Sequence, residues 1–271
     1  MPPVPLTDTP PVLFAPTLWF VGLTTLDVIH RGLAPAHRNQ KVTANWQSVS
    51  AGGPAANAAV VAAALGARSV LLTALGDSPA AQVARADLEA HGVQVVDFAD
   101  AAFQFPVSAI LVDELTSERS VVSLDGGSWG TQQLAPIDFA ALASKANVPT
   151  DPVAERSNQA PRNSETRGGP DDGIPAWVLF DGHHPNLARQ VADWISAQQS
   201  RKPKVILDGG RWRPIFADLI PIAEVAALSA DFQIPDAQSS LGMGAKAVVV
   251  THGPAPVAWE IAGQRGTVRV P

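Results

Sequence analysis

The sequence predicts an α/β fold: a mostly parallel sheet flanked by helices on both faces. Three observations carry that expectation. Short apolar runs rich in Val, Leu and Phe, such as Leu18–Leu23 and Val70–Ala74, read as strands buried on both sides. Alanine-rich stretches of helical character stand between them, as in Pro54–Leu65. The composition also supports a large core, because 46% of the 271 residues are hydrophobic and only 16% charged.

Taken in chain order, the strand candidates are Leu18–Leu23, Val70–Ala74, Val93–Val96, Trp177–Phe180, Val205–Leu207 and Ala247–Thr251. The helix candidates are Pro54–Leu65, Ala80–His91, Ile137–Ser144, Asn186–Gln199 and Pro214–Ile220. The first helix shows the reasoning. Pro54 suits a first helical turn, where its missing N–H has no partner to lose, and Gly66 supplies a stop. Two regions break the alternation. Lys41–Ser50 and Val107–Leu124 are strand-like with polar residues interspersed, and the second turns back on itself around Glu114–Ser117. A small β element of this kind inside an α/β domain reads as a lid, with strands expected within about 37–50 and 105–126. Residues 1–17 carry six prolines and no Lys or Arg, and read as a flexible tail ahead of a domain spanning 18–271. Val148–Pro175 has five prolines and eight charged residues, and reads as a disordered insertion.

Several function classes are excluded by composition. A formal net charge of −6 disfavours a nucleic-acid partner. The absence of cysteine removes disulfides, thiol nucleophiles and cysteine zinc sites. No run of roughly 20 apolar residues would span a membrane, so the expectation is a cytoplasmic protein with no membrane partner. No GxGxxG follows the first strand and no GxxxxGK[ST] occurs, which argues against a dinucleotide or P-loop enzyme.

What remains is a set of polar residues where open α/β sheets bind ligands, beyond the carboxyl ends of strands. Asp27 follows the first strand in VGLTTLD, Asp181 ends WVLFD and Asp208 ends VILD. Each alone would serve as a cap or loop residue. Together with the SAGGPAAN entrance at 50–57, they make a candidate site. Gly52 and Gly53 allow positive φ and close approach, and Asn57 stands one turn inside the helix. Carboxylates and an amide suit the hydroxyls of a sugar or nucleoside. His183 and His184 diverge as neighbours in sequence and lack a partner at helical spacing, so they read as loop residues, as does His252.

These residues resemble the ribokinase-like (PfkB) carbohydrate kinases. VGLTTLD at 21–27, GGPAAN at 52–57 and LGARSVLLTALGD at 65–77 form the similar block. ERSVV at 118–122, LFDGHHP, LDGGRWRP and VVVTHGPAPVAW at 248–259 extend it. The resemblance implies transfer of the γ-phosphate of ATP, with Mg2+, to a hydroxyl of a sugar or sugar-like substrate. It implies that Asp27, Gly52, Gly53, Asn57 and Asp181 bind the substrate beneath the lid. Thr251 and Gly253, in the THG that stands for T-x-G, would face the nucleotide. The resemblance also implies a homodimer through the lid strands. The family's D-T-x-G-A-G-D segment, whose last Asp takes the hydroxyl's proton, does not occur in these residues, so the catalytic base is expected beyond Pro271. Ser229–Ala237 occupies the place of the family's Asn-x-x-Glu loop and leaves the metal contacts unassigned; Asp208 and Asp231 are the fallback bases. The competing expectation is a non-catalytic sugar- or nucleoside-binding protein.

Overall fold

The computed structural model describes residues 15–32, 39–100, 102–126, 134–146, 173–199, 201–235 and 241–269. Apart from a few residues at their ends, the tail expected at 1–17 and the insertion expected at 148–175 lie outside the described residues.

A nine-stranded sheet forms the body, in the order β13-β12-β11-β10-β9-β8-β1-β4-β5. Toward one edge lie β8 (Trp177–Phe180), β1 (Thr17–Val21), β4 (Arg68–Thr73) and the edge strand β5 (Val93–Asp97). On the other side lie β9 (Lys204–Gly209), β10 (Val225–Ser229), β11 (Ala247–His252), β12 (Ala255–Ile261) and β13 (Gln264–Val268). Every pairing from β5 through β11 is parallel, and only β12 and β13 run antiparallel at the edge. The chain winds outward from β1 through β4 to β5, then returns to β8 and winds the other way. The junction of β1 and β8 is therefore the switch point, where helices on opposite faces diverge and leave a crevice.

Alternation along the central strands decides which helix covers which face. Trp19 and Val21 of β1 point to one face, as do Val70 and Leu72 of β4, and pack with α3 (Phe139–Ala146), α4 (Pro185–Ala197) and α5 (Phe216–Leu219). Phe20 and Leu71 point to the other face, against Ala55, Ala56 and Ala59 of α1 (Pro54–Ala64) and Leu88 of α2 (Pro79–Ala90). The small residues of α1 let it lie close on the sheet. On the opposite face the large rings do the filling: Trp19 stacks on Trp194 of α4, with centroids 5.0 Å apart and planes 18° from parallel. Leu187, Val191 and Ile195 give α4 its buried stripe at helical spacing.

The lid is a second sheet of four strands in the order β3-β2-β6-β7, made of β2 (Thr25–Gly32), β3 (Trp46–Gly52), β6 (Val107–Asp113) and β7 (Arg119–Ser123). Two of these, β6 and β7, fall within the expected spans, and β3 runs two residues past its own. The fourth corrects the sequence reading: Asp27 does not follow the first strand but lies inside β2, opposite Ser50 of β3 and Ser108 of β6. TLDVIHRG was hard to see as a strand because a sheet with a wet face carries polar residues in it. Asp208 also lies within its strand, one residue short of the end of β9. The strands β10, β12 and β13 were not expected either; VAALS of β10 has helix-forming alanines, and β12 and β13 are largely exposed. Expected Pro214–Ile220 resolves into the short α5 and a 3₁₀ turn at Ile220–Ile222, because Pro221 cannot continue an α-helix. No helix among the described residues is long and apolar enough to cross a membrane.

The layered core makes a simple prediction. Leu72→Ala, at a position with no exposure, is expected to cost about 2–5 kcal/mol. Val61→Ala, on the open side of α1, should stay within about 0.5 kcal/mol. Denaturant titration of the two variants measures the contrast.

Candidate functional site

At the switch point two carboxylates are each seated on a glycine. A Cβ on Gly52, the last residue of β3, would lie 2.1 Å from Asp27 Oδ2. A Cβ on Gly22, just after β1, would lie 2.0 Å from Asp181 Oδ1. Neither glycine tolerates a side chain while its carboxylate stays in place. The space at Gly52 therefore belongs to Asp27, where the sequence reading had reserved it for a substrate. Asp27 is half-buried and its Oδ1 accepts a hydrogen bond from Thr25 Oγ1 at 2.7 Å. Gly53 serves differently: its φ of +99° turns the chain from β3 into α1, and its N-cap position has no side chain to offer.

That leaves the first N–H groups of α1 in want of acceptors. Asp181 Oδ2 supplies one, accepting from Ala55 N at 3.1 Å and from Leu23 N of the β1–β2 connection at 2.9 Å. Its Oδ1 accepts from His183 N at 2.9 Å and lies 3.1 Å from His183 Nδ1. Burial pushes the Asp181 carboxyl up, but the His183 ring and the surrounding N–H donors outweigh it and hold the group below the usual carboxylate range. Asn57 is exposed on the first turn of α1, with its backbone N–H bonded to Gly53 O at 2.9 Å. Asp27, Gly52, Gly53, Asn57 and Asp181 thus lie at one corner.

Around this corner stand the two histidines that the sequence reading left as loop residues, and Asp208, which it kept as a candidate acid. His183 Nε2 accepts from Arg213 Nη2 at 2.8 Å, and Arg213 lies 3.8 Å from Asp125 at the exit of the lid. Asp208 is pushed up by burial and by the Asp181 charge, against an opposing effect of His183. Asp97, at the end of β5, accepts from the N–H groups of Leu75, Gly76 and Ala99 and from Arg85. A strand-end acid after a glycine-flanked strand is the signal that could have found these carboxylate anchors. His184 caps α4 in the left-handed region at φ 54° and is fully buried, with neither ring nitrogen hydrogen-bonded among the described residues.

The other candidate residues lie apart. Thr251 is the last residue but one of β11, three strands away from β8, or about 14 Å along the sheet edge. Its hydroxyl is 3.4 Å from Leu228 O. Gly253 turns β11 into β12 at φ +60°, and a Cβ there would meet nothing within 4 Å, so the backbone angle alone favours glycine. In the Ser229–Ala237 segment, Ser229 Oγ accepts from Asp231 N at 3.0 Å. Asp236 and Ala237 lie outside the described residues. No group of three His, Cys, Asp or Glu side chains is placed to hold a metal ion among the described residues. An open groove of about 770 Å³, lined by Arg31, Trp46 and Glu114, lies toward the far end of β2 from Asp27.

The fold has known counterparts. Residues 16–160 match the pfkB family carbohydrate kinases, and the chain belongs to that family. The fold is shared with a ribokinase from Giardia lamblia, at a TM-score of 0.69 and 13% identity, covering 94% of this chain and 75% of that one. Phosphofructokinase-2 from Escherichia coli, solved in complex with fructose-6-phosphate, gives 0.63 and 18%, covering 94% of this chain and 80% of that one. Arabidopsis thaliana ribokinase, solved with ribose and ATP, gives 0.57 and 16%, covering 95% and 78%. A search of curated proteins finds no match.

Two predictions follow from the geometry. Gly52→Ala forces the Asp27 carboxylate aside and is expected to cost about 1–3 kcal/mol. In an Asp27→Ala background most of that cost should vanish, which a double-mutant cycle of unfolding free energies measures.

The second concerns His184. Burial lowers its pKa from 6.5 to about 4; Asp181 and Asp97 oppose the shift, while His183 and Arg213 add to it. The unfolded chain takes up this proton as pH falls through 6.5, and the folded protein resists until about 4. Stability is therefore complete above pH 6.5 and declines toward pH 4, by about 3 kcal/mol from this residue. The difference between wild type and His184→Leu, measured by urea unfolding across that window, isolates the contribution.

Proposed function

We propose that the chain binds a sugar or sugar-like alcohol at the β1–β8 switch point and presents one hydroxyl for phosphoryl transfer from ATP. The observation that carries this reading is the pairing of Asp27, fixed on Gly52 by Thr25, with Asn57 at the adjoining helix mouth. A carboxylate accepts from hydroxyls and an amide both donates and accepts, so the pair can fix a polyol's orientation. Asp27 stands on β2 of the lid while Asn57 stands on the body, so a sugar held by both would draw the lid down and exclude water.

The nucleotide would lie along the same edge toward Thr251 and Gly253. Their exposed turn leaves open backbone where a phosphate chain can approach. In the reaction the γ-phosphorus–oxygen bond to ADP breaks, a bond to the sugar oxygen forms, and the hydroxyl proton is released. Positioning and charge stabilisation supply most of the catalysis in such transfers. Mg2+ would arrive with the phosphates, whose oxygens suit a hard cation that keeps much of its own water. No described residue is given the proton acceptor's role. A reaction that consumes ATP suits the cytoplasm. The exposed Val121, Val122 and Leu124 at the β7 edge support pairing of two copies through the lid.

The test is calorimetric titration with ribose, fructose and adenosine, paired with an ATP-consumption assay. Asp27→Asn and Asn57→Ala are each expected to weaken binding of the preferred ligand about 10- to 100-fold, with little change in melting temperature. Unchanged affinity in both variants would remove the reading.

A further inference from the structure

The resemblance gives Asp181 a place among the substrate ligands, but its surroundings point elsewhere. The side chain has no exposed surface. Each oxygen already takes two donors: Leu23 N and Ala55 N on Oδ2, His183 N and the His183 ring on Oδ1. The ring contact has one consistent proton arrangement. Arg213 can only donate, so His183 Nε2 must accept, and Nδ1 then carries the hydrogen toward Asp181. A chain of donors runs from Arg213 through His183 to Asp181, and the amides of Leu23 and Ala55 donate to the same carboxylate from the other side. At its outer end Arg213 also lies against Asp125, two residues beyond the last lid strand.

We propose that Asp181 is a positioning residue of the sugar site, which holds the β1–β2 connection and the α1 entrance together and so sets the distance between Asp27 and Asn57. The proposal rests on the sugar-site reading above. Leu23 stands four residues ahead of Asp27 and Ala55 two ahead of Asn57, so the two amides fixed by one oxygen lead directly to the two hydroxyl-reading side chains. His183 orients the carboxylate, and Arg213 fixes the tautomer of His183 and ties it to the lid exit. The charge of Asp181 matters as well as its shape. In Asp181→Asn one end of the group becomes an NH2, which then faces two donors whichever way the amide turns. If His183 adapts by moving its hydrogen to Nε2, that hydrogen faces Arg213.

The experiment measures two quantities on the full chain: sugar affinity by calorimetry with ribose, fructose and adenosine, and hydrogen exchange at the Leu23 and Ala55 amides without ligand. Asp181→Asn is expected to speed exchange at both amides and weaken binding about 10- to 100-fold, with ATP affinity unchanged. Arg213→Met should shift both readouts in the same direction by less, and Arg213→Lys, which keeps a donor for His183, should restore them. Faster exchange with unchanged sugar affinity would overturn the proposal in favour of a purely structural carboxylate. Weakened binding with unchanged exchange would overturn it in favour of direct contact with the sugar. Should Asp181→Asn fail to fold, Arg213→Met and Arg213→Lys carry the same comparison. If the wild-type chain binds none of the three probes, the sugar reading fails. Exchange at the two amides then judges the clasp alone, with faster rates in Asp181→Asn keeping it and equal rates removing it.

Discussion

A single buried carboxylate holds the corner on which the candidate site depends. Asp181 directly follows β8 at the switch point and joins three segments: the β1–β2 connection, the mouth of α1 and the turn into α4. Leaving a charge dry is costly by itself. Here it is tolerated because donors reach both oxygens, and charge-assisted hydrogen bonds are stronger than neutral ones. The arrangement also constrains its neighbours. Gly22 must lack a Cβ for the carboxylate to fit, and α1 can begin at a glycine without a capping side chain because Asp181 accepts from Ala55 N.

The sheet explains why this corner exists. Strands buried on both faces carry mostly apolar side chains, with a few hydrogen-bonded hydroxyls such as Ser69 and Thr73, so charged groups are pushed to their ends. Only where the winding reverses do the connections separate enough to admit a ligand. The lid brings the second half of the site. Asp27 reaches it from β2, and its carboxylate rests in the space left by Gly52 of the neighbouring β3. The two carboxylates are thus handled by the same device, a glycine directly beneath, yet Asp181 is closed off while Asp27 remains half-open.

Beside Asp181, His184 shows what such packing can tolerate. It enters α4 in a left-handed conformation that few residues other than glycine adopt, directly before Pro185. Its ring edges against Phe103 with centroids 6.2 Å apart, and burial keeps it neutral. A neighbouring pair of histidines has been divided by one turn of backbone: His183 faces the carboxylate and Arg213, while His184 faces the interior.

Much of this was legible in the sequence, and the reason is local. Continuous apolar runs fix buried strands, alanines after Gly-Gly-Pro fix α1, and Trp177–Phe180 has the same limits in the sequence reading and in the structure. Asp181 and Asn57 stand at a strand end and a helix mouth on one edge of the parallel sheet, while Asp27 and Gly52 reach that corner from the second sheet. The lid strand β2 was lost because its polar residues face a wet side, and β10 because its alanines favour a helix in isolation. Which glycine serves which carboxylate, and that Asp181 is spent on backbone amides while Asp27 is not, was decided only by tertiary structure. Those assignments depend on contacts between residues as far apart as Leu23 and Asp181, and no local pattern encodes a distance across a fold.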